Sequence, residues 1–481
     1  MSLINQAKKG VFWTFLQQFS VLGINFIVQI FLARLLLPSD FGLIAMITVF
    51  VAVGQSLSDS GMTSSLIRNK VNTEADYGTV FITNFVVSCF IFVMVYFFAP
   101  VVSSFYEQEI LTDLLRSYSL IFIISSFYAV QIAKFSKELN FKSQFTYQLP
   151  SVIIGSIVAI IMAKNGFGVW SLIGLNITQA ISFSIILWLF YKWRPKFIFD
   201  RTIFRGHFNY GYKLTISSLL TNLYLNLYKI IIGKLFTPAT VGYFNQADGL
   251  RQFPVNQLSN VFNKVSFPLF ASIQHDDEKL KNSYRIILNV VLSLSSSIMI
   301  ISILIAEPLY LVVYGFKWLP AVPYFQILCL ASIFLPVNIY NLNILKVKGR
   351  TDLYLKIDVI KKIIGVAALL SSLHFGIEGI VWSLCLTNIF FAYFNGFFSG
   401  QLISYSLREQ FADTLRVISI AAIPGIINYI LIQLYFNHFP NLLFIVVVVT
   451  LYMAGYIPLL FIFNKTFIKN VKKVLQSKNI A

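Results

Sequence analysis

Of the 481 residues, 57% are hydrophobic and only 12% are charged, roughly half the charged share of a soluble domain, which excludes a soluble globular enzyme. The net charge of +18 does not point to nucleic acid, because the basic residues sit in short loops rather than on one face of a domain. Lys8 and Lys9 precede the apolar run Val11 to Ala33, which is too long for a signal peptide and lacks a small-residue cleavage site. That run is read as the first membrane span. Further spans are expected at 41–60, 78–100, 114–133, 147–163, 167–191, 212–236, 242–272, 284–306, 320–344, 353–373, 377–400, 414–436 and 441–463. Most are about 20 apolar residues, the length that crosses a hydrocarbon core as a helix. The prediction is therefore an all-α integral membrane protein of 14 transmembrane helices. The eighth span is interrupted by Asp248, Arg251 and Pro254, and a kinked helix beside water is expected there.

The basic residues test this count. With a cytoplasmic N-terminus, the inner loops hold the dense groups, among them Lys192 to Arg205 and Lys346 to Arg350. The outer loops hold only Arg34, Arg116, Lys164, Lys234 and Lys317. This asymmetry follows the positive-inside rule and places both termini in the cytoplasm. The tail Lys465 to Lys478 reads as an amphipathic helix on the inner leaflet or as a solvated tail. Cys89, Cys329 and Cys385 lie within apolar runs and read as small core residues.

One phrase occurs twice, about 200 residues apart. Ala33-Arg34-Leu35-Leu36-Leu37-Pro38-Ser39-Asp40-Phe41-Gly42 is echoed by Gly233-Lys234-Leu235-Phe236-Thr237-Pro238-Ala239-Thr240-Val241-Gly242. A second echo pairs Gly168-Val169-Trp170-Ser171-Leu172 and Asn176 with Gly379-Ile380-Val381-Trp382-Ser383-Leu384 and Asn388. Six spans separate each pair, so the copies share one orientation. The expected organisation is two parallel six-helix lobes, 1–205 and 206–405, followed by two further helices and a basic tail in 406–481.

Several phrases carry a resemblance. They are the stretch Ala33 to Met46, Ser58-Asp59-Ser60-Gly61-Met62 leading to Leu66-Ile67-Arg68, Leu139-Asn140-Phe141-Lys142, Gly166 to Leu172, and Gly242-Tyr243-Phe244-Asn245-Gln246-Ala247. Together they resemble the polysaccharide transporter branch of the multidrug/oligosaccharidyl-lipid/polysaccharide exporter superfamily. The likeness is closest to the colanic-acid and teichuronic-acid exporter type of Wzx-like flippase. The resemblance implies a flippase that moves undecaprenyl-diphosphate-linked oligosaccharide repeat units across the bacterial inner membrane, as a multi-pass protein, for surface polysaccharide synthesis. It implies a lipid-linked oligosaccharide and membrane lipids as partners, with a polysaccharide polymerase and chain-length machinery beyond. The alternative is a cation-coupled drug or small-molecule antiporter of the same superfamily. A membrane enzyme is not expected, because the outer loops are short and the acids dispersed.

Polar residues inside the spans are the candidates for a substrate cavity. Thr215, Ser218, Asn222, Asn226 and Lys229 lie on one helical face of the seventh span. The first span carries Thr14, Gln18, Asn25 and Gln29, and the repeat offset maps Gln18 onto Ser218 and Gln29 onto Lys229. These faces either line a cavity or serve as interhelical hydrogen-bond glue. Lys229 meets the lipid diphosphate or snorkels outward. Arg251 serves the cavity or pairs with Asp248 three residues before it, and Lys361 and Lys362 offer positive charge to the diphosphate near the inner surface. Alternating access needs a driving force, either removal of product outside or a coupling cation, H+ or Na+. The acidic candidates for cation coupling are Asp59, Asp248, Asp358 and Glu378, with Asp59 alternatively capping its helix or pairing with Arg68. No other cofactor is expected: His207, His275, His374 and His438 form no metal-binding pattern, and the sequence has no phosphate-binding loop.

Overall fold

The computed structural model describes residues 3–436 and 439–463. His438 and the basic tail Lys465 to Lys478 lie outside the described residues, as do the side chains of Lys8, Lys9, Thr14 and Gln18. Every regular element among the described residues is helical. Two compact units divide at Asn245.

The first unit contains α1 (Leu3–Leu35), α2 (Pro38–Asp59), α3 (Met62–Arg68), α4 (Glu74–Tyr106), α5 (Leu111–Lys137), α6 (Phe141–Lys164), α7 (Trp170–Phe190), α8 (Arg201–Leu235) and the start of α9 (Pro238–Ser272). Within it α6 packs on α1 and α7, and α5 packs on α4 and α7. The long helix α8 lies along α2, α3 and α4. The packing boundary falls about 40 residues after the lobe boundary expected at 205, because α8 belongs by contact to the first unit.

The second unit holds the rest of α9, then α10 (Asp277–Leu304), α11 (Ala306–Val313), α12 (Val322–Ile333), α13 (Leu335–Val347), α14 (Thr351–Ser372), α15 (Gly376–Leu402), α16 (Leu407–Leu431) and α17 (Asn441–Phe463). Here α10 packs on α12, α13 and α16, α15 packs on α12, α13 and α14, and α17 packs on α16 and α11.

Each of the expected spans coincides with a helix, except that 320–344 is broken at Phe334 into α12 and α13. The cause is local: Pro336, in the first turn of α13, supplies no N–H and restricts the residue before it. Among the described residues, ten helical segments are long and apolar enough to cross a membrane. The protein is thus an integral, multi-pass membrane protein. One face of α4 shows what such helices present to lipid: Val86, Phe90, Val93, Phe97 and Val101 are exposed at steps of three and four. Lipid tails are as apolar as these side chains, so burying them elsewhere gains little. Helix association must come from close packing and polar contacts instead.

The duplicated phrase forms two corners of the same kind. Pro38 opens α2 and Pro238 opens α9, each at a first-turn position where the missing N–H costs nothing. Asp40 accepts a hydrogen bond from the Leu37 N–H at 2.9 Å and caps the first corner. The glycines are there for contact. A Cβ on Gly42 would stand 1.7 Å from the Pro238 carbonyl oxygen, and one on Gly242 would stand 2.0 Å from that of Pro38. The two corners meet backbone to backbone, each glycine against the other's proline.

Candidate functional site

The polar face of α8 meets α2 in the first unit. Thr215 is buried, Asn222 and Asn226 are half-buried and Ser218 is exposed. Asn222 Nδ2 donates to Ser56 Oγ of α2 at 2.7 Å. A cavity of about 390 Å³ opens between the two helices, in the size range of small-molecule sites. Its polar walls are Gln55, Ser56 and Asp59 from α2, Ser64 from α3, and Thr215, Ser218 and Asn222 from α8.

Two devices hold α8 at this distance. The chain turns after Asp59 through Ser60 and Gly61, whose φ values of 51° and 63° are left-handed. A Cβ on Gly61 would lie 2.4 Å from the Gly211 carbonyl oxygen, so α8 touches the turn through backbone alone. One turn earlier on α8, His207 is buried, with Nδ1 2.8 Å from Ser65 Oγ of α3 and Nε2 3.1 Å from Asp76 Oδ1 of α4. The order serine–histidine–aspartate is that of a nucleophile relay, but Ser65 is itself buried; the histidine ties three helices together.

A second cavity, about 340 Å³, lies on the other side of Asp59 among α2, α3, α4 and α5. Gln55 and Asp59 line both cavities. The Asp59 carboxylate accepts from Thr63 Oγ1 at 2.6 Å. Arg68, its expected partner, lies instead over the Tyr210 ring at 4.5 Å.

The remaining candidates are distributed elsewhere. On α1, Asn25 Oδ1 accepts from Gln179 of α7 at 3.4 Å, and the neighbouring Gln17 donates to Gln148 of α6 at 2.6 Å. These bonds fasten α1 to α6 and α7. Gln29 is exposed and Lys229 half-buried, further along their helices. In the second unit Arg251 does pair with Asp248, donating from two nitrogens at 3.0 and 2.6 Å, and a third nitrogen donates to Ser332 of α12 at 2.9 Å. Lys362 pairs with Asp358 at 2.9 Å, while Lys361 lies 5.0 Å over the Phe391 ring. Glu378 is exposed in the first turn of α15.

Ser218, Asn222 and Asp59 are thus brought together, and the α2 wall of their cavity was the part missed. Gln55 and Ser56 sit four and three residues before Asp59, a helical polar edge that a search for charge alone passes over.

Known proteins fit this architecture. A family described as "Polysaccharide biosynthesis protein" matches residues 31–323. The chain is 23% identical to the teichuronic acid biosynthesis protein TuaB of Bacillus subtilis (strain 168), over 89% of each chain. It is 24% identical to the lipopolysaccharide biosynthesis protein WzxC of Escherichia coli (strain K12), over 77% of this chain and 75% of the other. The fold is similar to the inward closed conformation of the lipid II flippase MurJ, with a TM-score of 0.74 at 15% identity, covering 95% of this chain and all of that one. The duplicated corner, the α2–α8 seam and the matched residues all lie in one membrane architecture, and the chain belongs to the polysaccharide biosynthesis protein family.

Proposed function

We propose that this protein is a flippase for lipid-linked oligosaccharides, carrying undecaprenyl-diphosphate-linked repeat units across the bacterial inner membrane for surface polysaccharide assembly. The observation that carries the reading is the polar α2–α8 cavity within a helical bundle of this family. A sugar chain is rich in hydroxyls and cannot cross hydrocarbon unaided. Gln55, Ser56, Ser218 and Asn222 offer donors and acceptors that replace its water, while the prenyl tail stays in lipid. Alternating access exposes such a cavity first to one side of the membrane and then to the other. The protein acts as a carrier and makes or breaks no covalent bond. Its product is handed to a polymerase acting outside, with chain-length machinery beyond.

The test is leaflet-resolved transport of a lipid-linked oligosaccharide in proteoliposomes. The wild type should move the labelled lipid between leaflets, and Asn222→Leu, which removes the donor to Ser56 and one polar wall, should slow it at least ~10-fold while inserting normally. Wild-type proteoliposomes that extrude a cationic drug and leave the glycolipid in place would replace this reading with drug export.

A further inference from the structure

The cavity among α2, α3, α4 and α5 is lined by polar groups that the protein leaves unused. Asn84 is 1% exposed, and neither end of its amide has a hydrogen-bond partner among the described residues. Ser58 is 5% exposed and its hydroxyl is likewise unpartnered. Native interiors rarely leave such groups idle, and both line this one cavity. Thr63 donates to one Asp59 oxygen, and no hydrogen bond reaches the other among the described residues.

These groups define the ligand they suit. Asn84 offers a donor and an acceptor side by side, and Asp59 and Ser58 stand on the neighbouring helix α2. Ser125 and Ser126 spend their protons on the carbonyls of Phe122 and Ile123, at 2.9 and 2.7 Å, which leaves their oxygens as acceptors. The lining is therefore rich in acceptors, and it includes no lysine, arginine or histidine. Such a wall suits a neutral molecule that carries hydroxyl donors on adjacent carbons. Hydroxyls donating to a carboxylate make hydrogen bonds of the stronger, charge-assisted kind. A ligand with its own carboxylate meets the opposite conditions. It brings acceptors to acceptors, and a negative charge to Asp59 where little water screens the repulsion. Tyr128, Ala129 and Ile132 of α5 add an apolar wall for the C–H face of a ring. The volume, about 340 Å³, is at the small end of the range for bound small molecules, about 300–1,000 Å³. It fits one sugar ring with a few waters rather than a whole repeat unit.

We propose that this cavity is a subsite for a single neutral pyranose ring, held by Asp59, Asn84 and Ser58, and that Asp59 makes it refuse uronic acids and other anionic sugars. Asp59 and Gln55 also line the α2–α8 cavity, so a ring seated here adjoins a sugar chain lying there. A part in selecting which repeat units are carried rests on the proposed function. Sugar binding does not, and it is tested without any lipid-linked substrate.

The experiment is the thermal stability of the purified protein at neutral pH in lauryldimethylamine oxide, a detergent without a sugar headgroup. The probes are the methyl glycosides of d-glucose, d-galactose, d-mannose and N-acetyl-d-glucosamine, each beside its uronate and its l-enantiomer. The enantiomers control for the general stabilisation that dissolved sugars give. At least one neutral d-glycoside should stabilise wild type beyond its enantiomer, with an apparent Kd on the order of 1–10 mM. Its uronate should bind at least ~10-fold more weakly. Asn84→Leu should weaken the neutral glycoside at least ~10-fold. Asp59→Asn, nearly isosteric, should weaken it ~10-fold and bring the uronate level with it. Glu107→Gln, at the exposed end of α4, should respond like wild type. Should Asp59→Asn fail to fold, Asn84→Leu and Ser58→Ala carry the test. Equal curves for every d- and l-pair would overturn the subsite. So would a uronate that binds wild type as well as its neutral parent, or a response that survives both Asp59→Asn and Asn84→Leu. Glycoside binding by a protein that moves no lipid-linked oligosaccharide would remove the proposed function and keep the subsite; transport without glycoside binding would do the reverse.

Discussion

Two regions use the same polar side chains to opposite ends. In the second unit, α10, α13, α15 and α16 meet over buried amides, most of whose polar atoms are engaged. Asn341 Oδ1 accepts from Tyr284 and Ser399, both at 2.7 Å, and its Nδ2 donates to the Ala392 carbonyl at 3.2 Å. Asn395 donates to Asn338 at 2.9 Å, Asn338 to the Asn388 carbonyl at 3.0 Å, and Gln410 to the Gly396 and Tyr405 carbonyls at 2.8 and 3.0 Å. In the first unit, Asn84 is as deeply buried and makes none of these bonds. A satisfied amide is a rivet between helices, whereas an unsatisfied amide facing a cavity holds open a place for something else. Residue type does not distinguish the two; the partners do.

The comparison breaks most visibly at Asn341. Asn341→Leu leaves the Tyr284 and Ser399 hydroxyls buried without their acceptor and should cost about 2–4 kcal/mol, read as a fall in thermal stability in detergent. A loss below about 1 kcal/mol would mean that the network is decorative. Asn84→Leu should change stability by less than about 1 kcal/mol, because no protein hydrogen bond is lost. If it destabilises as strongly as Asn341→Leu, the distinction between rivet and cavity wall fails. The smallest effect belongs to the Glu107–Lys234 pair, 2.6 Å apart at exposed helix ends. The Lys234 ammonium holds the Glu107 carboxyl below its usual range. The pair's contribution is therefore present above the ordinary glutamate value, about 4.3, and lost as pH falls through the lowered one. With Glu107 fully exposed, melting temperature should fall equally in wild type and Lys234→Met as pH is lowered from 5 to 3, and a larger fall in wild type would show the pair to be structural.

Much of the fold was legible because apolar runs of membrane length alternate with charged loops, and each expected span is occupied by helix. The polar stripe on α8 was legible for the same reason that any helical face is: Thr215, Ser218 and Asn222 repeat at three and four. What it faces was not. The repeat directed attention to α1, its counterpart, but α8 lies along α2, α3 and α4, and periodicity within one helix says nothing about its neighbour. Asn84 and Ser88 lie within the apolar run of α4, and Ser125 and Ser126 within that of α5, where no periodicity marks them. Their significance lies in a shared cavity, which only tertiary packing creates. In the sequence His207 is one scattered histidine among four, and its role depends on Ser65 and Asp76 far away in sequence.

The paired corners also set a timetable. Gly42 is shaped to meet the Pro238 carbonyl, yet about 200 residues of chain separate them. At translation rates of about 5–20 residues per second, the first corner waits roughly 10–40 s in the bilayer for its counterpart. During that interval its bare glycine surface is available to any other close-packing helix, whether from this chain or from a neighbour. Biogenesis of the amino-terminal helices is therefore finished late, after α8 and the opening turn of α9 have been threaded into the membrane.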